Sequence, residues 1–273
     1  MAAPASESSP DLMDQQPQDI AERAGDVGRE RLDRSNLDIF ITGAIGGFEV
    51  SLGGLAAMAV VGSSLLAIHG FDLYAALAIG ALAFPIGFMF VIIGRSELFT
   101  ENFLIPVTAV LRQERTLLSL VQVWGFSWLG NMVACAGFAA LVSIPAAIGA
   151  PILHGYVIYT AYKLSLPPLG LFVSAILAGM IMTVLTWLLL AIRDPVGKIL
   201  AIFAAGYVIF ATNVSHAIVG ASLLFVGFRP AGFPVWSPLL WVVIATLGNL
   251  VGGVGVVTLF RHVQVKEKRK TGA

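Results

Sequence analysis

Charge and cysteine are what this chain has least of. Of its 273 residues only 12% are Asp, Glu, Lys or Arg, where an ordinary soluble chain carries roughly 25%. A water-facing surface cannot be built from so few charges, which excludes a soluble globular domain. The single cysteine, Cys135, lies in an apolar run, so no intrachain disulfide and no cysteine metal cluster can form. The four histidines are scattered, and no nucleophile, base or metal-ligand set recurs at useful spacing, so neither an enzyme nor a cofactor or metal site is expected. Neither tail interleaves basic residues with aromatics in the way nucleic-acid binding needs. The first 36 residues are polar and lack an apolar core segment, so no cleavable signal peptide is expected.

What is present is apolar: 58% of residues are hydrophobic, 29 are glycine, and mean hydropathy is +0.88. Such a chain takes lipid as its solvent over most of its length. The formal net charge of zero hides a segregation, with eight acids and four bases over 1–36 against five bases and one acid from Arg261 onward. The pattern divides the chain into an N-terminal tail over 1–36, partly disordered around Pro10 and Pro17, a membrane domain over 37–262 and a basic C-terminal tail over 263–273. Within the first tail Ile20, Ala24, Val27 and Leu32 recur at three to five residues. That spacing permits a short amphipathic helix on the membrane surface, and the composition equally permits a solvated tail.

Six hydrophobic segments follow, at about 37–66, 74–112, 117–144, 169–192, 196–228 and 236–262, each with the roughly 20 apolar residues a crossing needs. The second and fifth are long and interrupted near the middle by polar clusters, Arg95 to Asn102 and Thr212 to His216. The run Leu129-Gly130-Asn131 in the third echoes Leu247-Gly248-Asn249 in the sixth. The expected fold is therefore an all-α membrane protein of six transmembrane helices, two inverted three-helix repeats with helices 2 and 5 broken near the midplane. Thirteen Lys and Arg residues fall on the side of the termini and two, Lys163 and Arg229, on the other; this places both termini in the cytoplasm.

Polar groups at membrane depth are costly and face the protein interior or a water path. Glu49, Arg95, Glu97, Thr100, Glu101, Asn102, Asn131, Asn213, His216 and Asn249 stand there. Thr100 can cap a half-helix with Glu101 as its first-turn acid, and Asn213 or Thr212 can cap one whose first turn holds His216. Glu97 either lines the break or braces it by pairing with Arg95. Asn131 and Asn249 read as struts for the unpaired backbone of the breaks, and Glu49 as a partner for a break loop or an interface group between subunits. His69 and His154 fall in outer loops and His262 at a helix end.

With Gly94-Arg95-Ser96-Glu97-Leu98-Phe99-Thr100, the Gly-Asn pairs of spans three and six, and His216 at the fifth-span break, the chain resembles the formate/nitrite transporter family over roughly 38–262. The resemblance implies an aquaporin-like six-helix fold, a homopentamer with one pore per protomer, and passage of small monovalent anions of weak acids such as formate or nitrite. It implies a central polar site at Thr100 and His216, constrictions at Phe84, Phe88, Leu98, Phe99 and Ile209, an anion-attracting Lys163 in the outer vestibule, and Trp187 as the fourth-span tryptophan. Glu101 after the threonine, Arg95, Gly179 and Ser215 depart from the family's usual residues and mark a divergent branch. A bare anion crossing apolar rings pays a large desolvation cost that the neutral acid does not. The expected transport is therefore passive or proton-linked, with a proton shared at His216, in a bacterial inner membrane. The alternative is a water or small neutral-solute channel of the same architecture.

Overall fold

The computed structural model describes residues 15–271, with side chains up to 268. The tail around Pro10 and the last basic residues lie outside the described residues. Among the described residues all regular structure is helical. Five helical segments are long and apolar enough to cross a membrane: Asn36–Ala67, Leu73–Ile93, Leu117–Val142, Pro168–Ala191 and Trp236–Lys268. Side chains such as Leu118, Leu169, Leu200 and Phe260 are more than 60% exposed on the outside, as a lipid-facing exterior requires.

The chain opens with α1 (Pro17–Leu32), started by Pro17 at its first turn and closed by a basic last turn, which suits the negative end of the helix dipole. Its buried face is Ile20, Ala24, Gly25, Gly28 and Leu32. A Cβ on Gly28 would stand 2.4 Å from the Ile105 carbonyl oxygen, so α1 is docked on protein. It is not a fully solvated tail. Two glycines complete the contact face, and a count of apolar positions does not register them.

Ser35 then caps α2 (Asn36–Ala67) by accepting from the Asp38 N–H at 3.2 Å. The second apolar segment is divided. It comprises α3 (Leu73–Gly80), a turn, α4 (Pro85–Ile93), an irregular stretch over 94–98, a short 3-10 helix (Phe99–Phe103) and α5 (Ile105–Leu111). The irregular stretch begins at Arg95, whose φ of 63° is left-handed. The Arg95 side chain consequently turns outward and is exposed, while Glu97 is buried.

After α6 (Leu117–Val142) comes α7 (Ala150–Leu164), where the sequence reading had an outer loop. Its buried residues Gly155, Tyr156, Tyr159, Thr160 and Lys163 recur at helical spacing, but their polarity conceals the stripe from a hydropathy count. Next are α8 (Pro168–Ala191), α9 (Pro195–Ala211), a second irregular stretch over 212–216, and α10 (Ala217–Gly227). Finally α11 (Trp236–Leu250) passes through a π-helical segment (Val251–Thr258) into α12 (Leu259–Thr271).

Small residues set the spacing of these helices, as they do where lipid supplies no hydrophobic drive between helices. Gly130 brings α6 against α2, where a Cβ would lie 2.3 Å from the Phe40 oxygen, and Gly252 brings the π segment against α8, 2.0 Å from the Ile176 oxygen. Gly62 of α2 is the tightest, at 1.8 Å from the Pro151 oxygen. Gly62→Ala is accordingly expected to cost about 1–3 kcal/mol through overpacking and to lower the melting temperature in detergent. Gly125→Ala, at a site with nothing within 4 Å, should melt like the parent. Equal melting of the two variants would refute this packing.

Candidate functional site

The two irregular stretches bring unpaired backbone into the centre of the protein, where each polar group must find a partner. Asn131 and Asn249 supply them in the same way. The Asn131 Oδ1 accepts from the Phe99 N–H at 2.8 Å, and its Nδ2 donates to the oxygens of Glu97 at 2.9 Å and Gly43 of α2 at 2.6 Å. The Asn249 Oδ1 accepts from the Ala217 N–H at 2.9 Å, and its Nδ2 donates to the oxygens of Ser215 at 3.0 Å and Ala175 of α8 at 2.8 Å. In both halves the strut lies 32 residues from the amide it accepts from and 34 from the break carbonyl it donates to.

Between the struts Thr100 and His216 meet. The Thr100 Oγ1 lies 2.9 Å from the His216 Nε2, and both residues are buried. His216 is itself the N-cap of α10, its Nδ1 accepting from the Val219 N–H at 3.2 Å. This fixes the tautomer: Nδ1 offers a lone pair to the backbone, so the neutral ring carries its hydrogen on Nε2, directed at the Thr100 oxygen. The hydroxyl hydrogen of Thr100 is then left to donate elsewhere. Thr100 therefore lies within the 3-10 turn with its side chain on the histidine and caps no half-helix. Neither Asn213 nor Thr212 caps α10.

Phe84, Phe88, Leu98, Phe99 and Ile209 are all buried within the protein's main apolar core. Phe88 touches the histidine, their ring centroids 6.0 Å apart, and packs edge-on against Phe84 at 5.1 Å. Phe99 packs edge-on against Phe103 at 5.0 Å. The ring stacked on Phe84 belongs to Phe210, at 5.0 Å, one residue beyond the position taken from the family pattern. Only the direction of the helix in space distinguishes these two apolar neighbours.

Charged residues hold each break from outside. The buried Glu97 accepts from Arg34 at 2.6 Å, lies 3.7 Å from Arg31 and accepts from the Asn102 amide; Arg31 in turn donates to the Asn102 Oδ1 at 2.8 Å. The expected pairing of Glu97 with Arg95 is thereby corrected: its partners come from α1 and the linker after it, remote in sequence and read there only as tail charges. Glu49 accepts from the Ser96 hydroxyl, serving as a partner for the first break.

At the second break Lys163 is fully buried, and its Nζ donates to the Asn213 oxygen at 2.5 Å, with the Val214 oxygen and Ser215 Oγ at 3.4 Å. The rings of Tyr159 and Trp241 lie 5.7 and 5.9 Å away. Lys163 thus belongs to the inner wall of the second break, on α7, and not to an open outer loop. Asn213 braces nothing through its side chain. Both amide atoms of Asn213 and the Glu101 Oε1 are buried without a partner, and Asn213 contributes through a left-handed backbone with φ of 52°, a conformation asparagine tolerates. No group of three or more His, Cys, Asp or Glu able to hold a metal occurs among the described residues.

The sequence model of the formate/nitrite transporter family matches residues 18–263. A probable formate transporter of Methanothermobacter thermautotrophicus is 27% identical over 248 residues, 84% of this chain and 89% of the relative. Among solved structures, a channel described as an FNT family ion channel superposes with a TM-score of 0.79 at 19% identity, covering 90% of this chain and 98% of that one. A pentameric formate channel with formate bound superposes at 0.67 and 17% identity, covering 84% and 97%. With the family match running from α1 to α12, this chain is a member of the formate/nitrite transporter family.

Proposed function

We propose that this chain is an inner-membrane channel for small monovalent anions of weak acids, and that the substrate passes the Thr100–His216 pair between apolar constrictions. The observation that carries this reading is the 2.9 Å contact of Thr100 Oγ1 with His216 Nε2 inside a cluster of buried phenylalanine, leucine and isoleucine side chains. Family membership favours an anion over water or a neutral solute.

In this mechanism six crossings, counting Pro195–Ala211 and Ala217–Gly227 as one broken helix, form two inverted three-helix repeats. The matching Asn131 and Asn249 struts support the repeat. Both termini lie in the cytoplasm, where lysine and arginine are concentrated, and the molecule assembles as a homopentamer like the channel it superposes on. Lys163 places a positive charge at the second break and draws the anion inward. The Thr100 hydroxyl, its oxygen occupied by the His216 Nε2–H, donates its own hydrogen to the anion. A proton entering with the anion completes the neutral acid, which crosses the next apolar ring and gives the proton up on the far side. Charging the ring would require a proton at Nδ1, in competition with the Val219 N–H, so His216 rests neutral and acts chiefly through its oriented Nε2–H.

Reconstituted in liposomes, Thr100→Ala and His216→Ala should each reduce formate or nitrite flux about ten-fold or more, the worth of one hydrogen bond to a charged group. Parental rates in both variants would overturn the role assigned to the pair. If a proton travels with the anion, uptake by the parent protein should rise as the outer pH is lowered at constant anion concentration and collapse when the gradient is reversed. Flux that follows only the anion gradient would remove the proton from the mechanism.

A further inference from the structure

A cavity lies away from the Thr100–His216 pair, largely apolar inside with basic groups at its edge, on the face where the two described ends of the chain meet and Lys268 of α12 reaches Gln16 beside α1. It is a space of about 120 Å³ between α1, α5, α8 and α12, roughly four times the share of one liquid water molecule. Leu104, Trp187 and Val265 wall it on the inside, and Arg112, Arg261, His262 and Lys266 stand around it; among the described residues no aspartate or glutamate lines it.

These cations are not equivalent. Arg112 is neutralised by Glu114 at 2.8 Å and donates to the Glu22 carbonyl at 3.2 Å. Among the described residues Arg261 has no such counter-ion: its guanidinium lies over the Trp187 ring at 4.6 Å, with one N–H given to the Gln264 amide oxygen at 2.9 Å. Lys266, five residues further along α12, is exposed. The cavity therefore combines a guanidinium held flat by an indole, an ammonium and an imidazole, with two positive charges left over and an apolar back wall. A guanidinium fork and an ammonium at the edge of a partly open space match a tetrahedral oxyanion, which offers oxygens in several directions and one to two negative charges.

We propose that this cavity binds a phosphate group, either free phosphate or the headgroup of an anionic phospholipid, held by Arg261 and Lys266 and backed by Trp187. Occupancy would tie α12 to α5 and α8 beneath α1, adding a ligand-dependent clamp to the face through which α1 contacts the channel. The assignment goes beyond anion transport and stands whether or not the Thr100–His216 pair conducts.

The test is thermal unfolding of the full-length protein in a neutral detergent at constant ionic strength. Inorganic phosphate, phosphatidylglycerol, phosphatidylcholine and formate are titrated in separate arms. A ligand that binds only the folded state raises the melting temperature with concentration. The expected result is a rise with phosphate, with phosphatidylglycerol, or with both, but not with phosphatidylcholine. A response to phosphate assigns a soluble source, and a response to phosphatidylglycerol alone assigns the lipid. Arg261→Gln and Lys266→Gln should each raise the half-maximal concentration about ten-fold or more, whereas Lys198→Gln, on α9, should not change it. Lys266 is exposed, so its variant keeps the test independent of any folding defect at Arg261. No rise with either phosphate compound, an equal rise in all three variants, or an equal rise with formate would overturn the proposal.

Discussion

Everything at the centre of this protein depends on satisfying backbone that is not helical at membrane depth. Two stretches of chain give up their internal hydrogen bonds there, and hydrocarbon offers no replacement. A primary amide is suited to the task because it donates and accepts at once. Each strut joins three points: a carbonyl within the break, an amide N–H after it, and a carbonyl on a neighbouring long helix. Asn131 and Asn249 therefore hold open two irregular turns that would otherwise close into helix or draw in water. The glycines beside them let the long helices approach closely enough for one amide to span the gap.

Holding the backbone open frees side chains for other uses. Within a continuous helix Thr100 would spend its hydroxyl on a carbonyl one turn back, as Thr108, Thr183 and Thr186 do. In the broken stretch the Thr100 oxygen faces His216 instead. His216 is fixed by an equally local device, its Nδ1 serving as the cap that begins α10. The distance between hydroxyl and imidazole is thus set by the same elements that terminate the helices.

Much of this arrangement is legible from spacing and composition. Five of the apolar lengths correspond to helices long enough to cross a membrane, the polar stretches after Ile93 and Ala211 to irregular backbone, and the repeated Gly-Asn pairs to the amides that satisfy it, because lipid leaves few ways to place a polar residue in an apolar run. Less legible are contacts whose partners come from segments that look unremarkable alone. Arg31 and Arg34 carry no sign that they reach Glu97, since both sit among ordinary tail charges. The α7 stripe is hidden because its buried positions are tyrosine, threonine and lysine. Assigning caps by residue type also fails where backbone geometry decides: Asn213 takes a left-handed turn and leaves the cap to His216.

The two breaks share a frame but differ in charge, and the difference has a direction. At the first, the buried carboxylate of Glu97 is met by Arg31 and by Arg34, which Asp38 also pairs with at 2.6 Å, so two acids face two arginines. At the second, Lys163 is met by carbonyl oxygens, a hydroxyl and the faces of two aromatic rings. Dipoles of that kind solvate a cation without cancelling its charge. In a low-dielectric interior such a residual charge acts over a longer distance than it would in water. The repeated asparagine struts therefore support two unlike interiors, an acid paired with arginines at the first break and a basic group held by dipoles alone at the second.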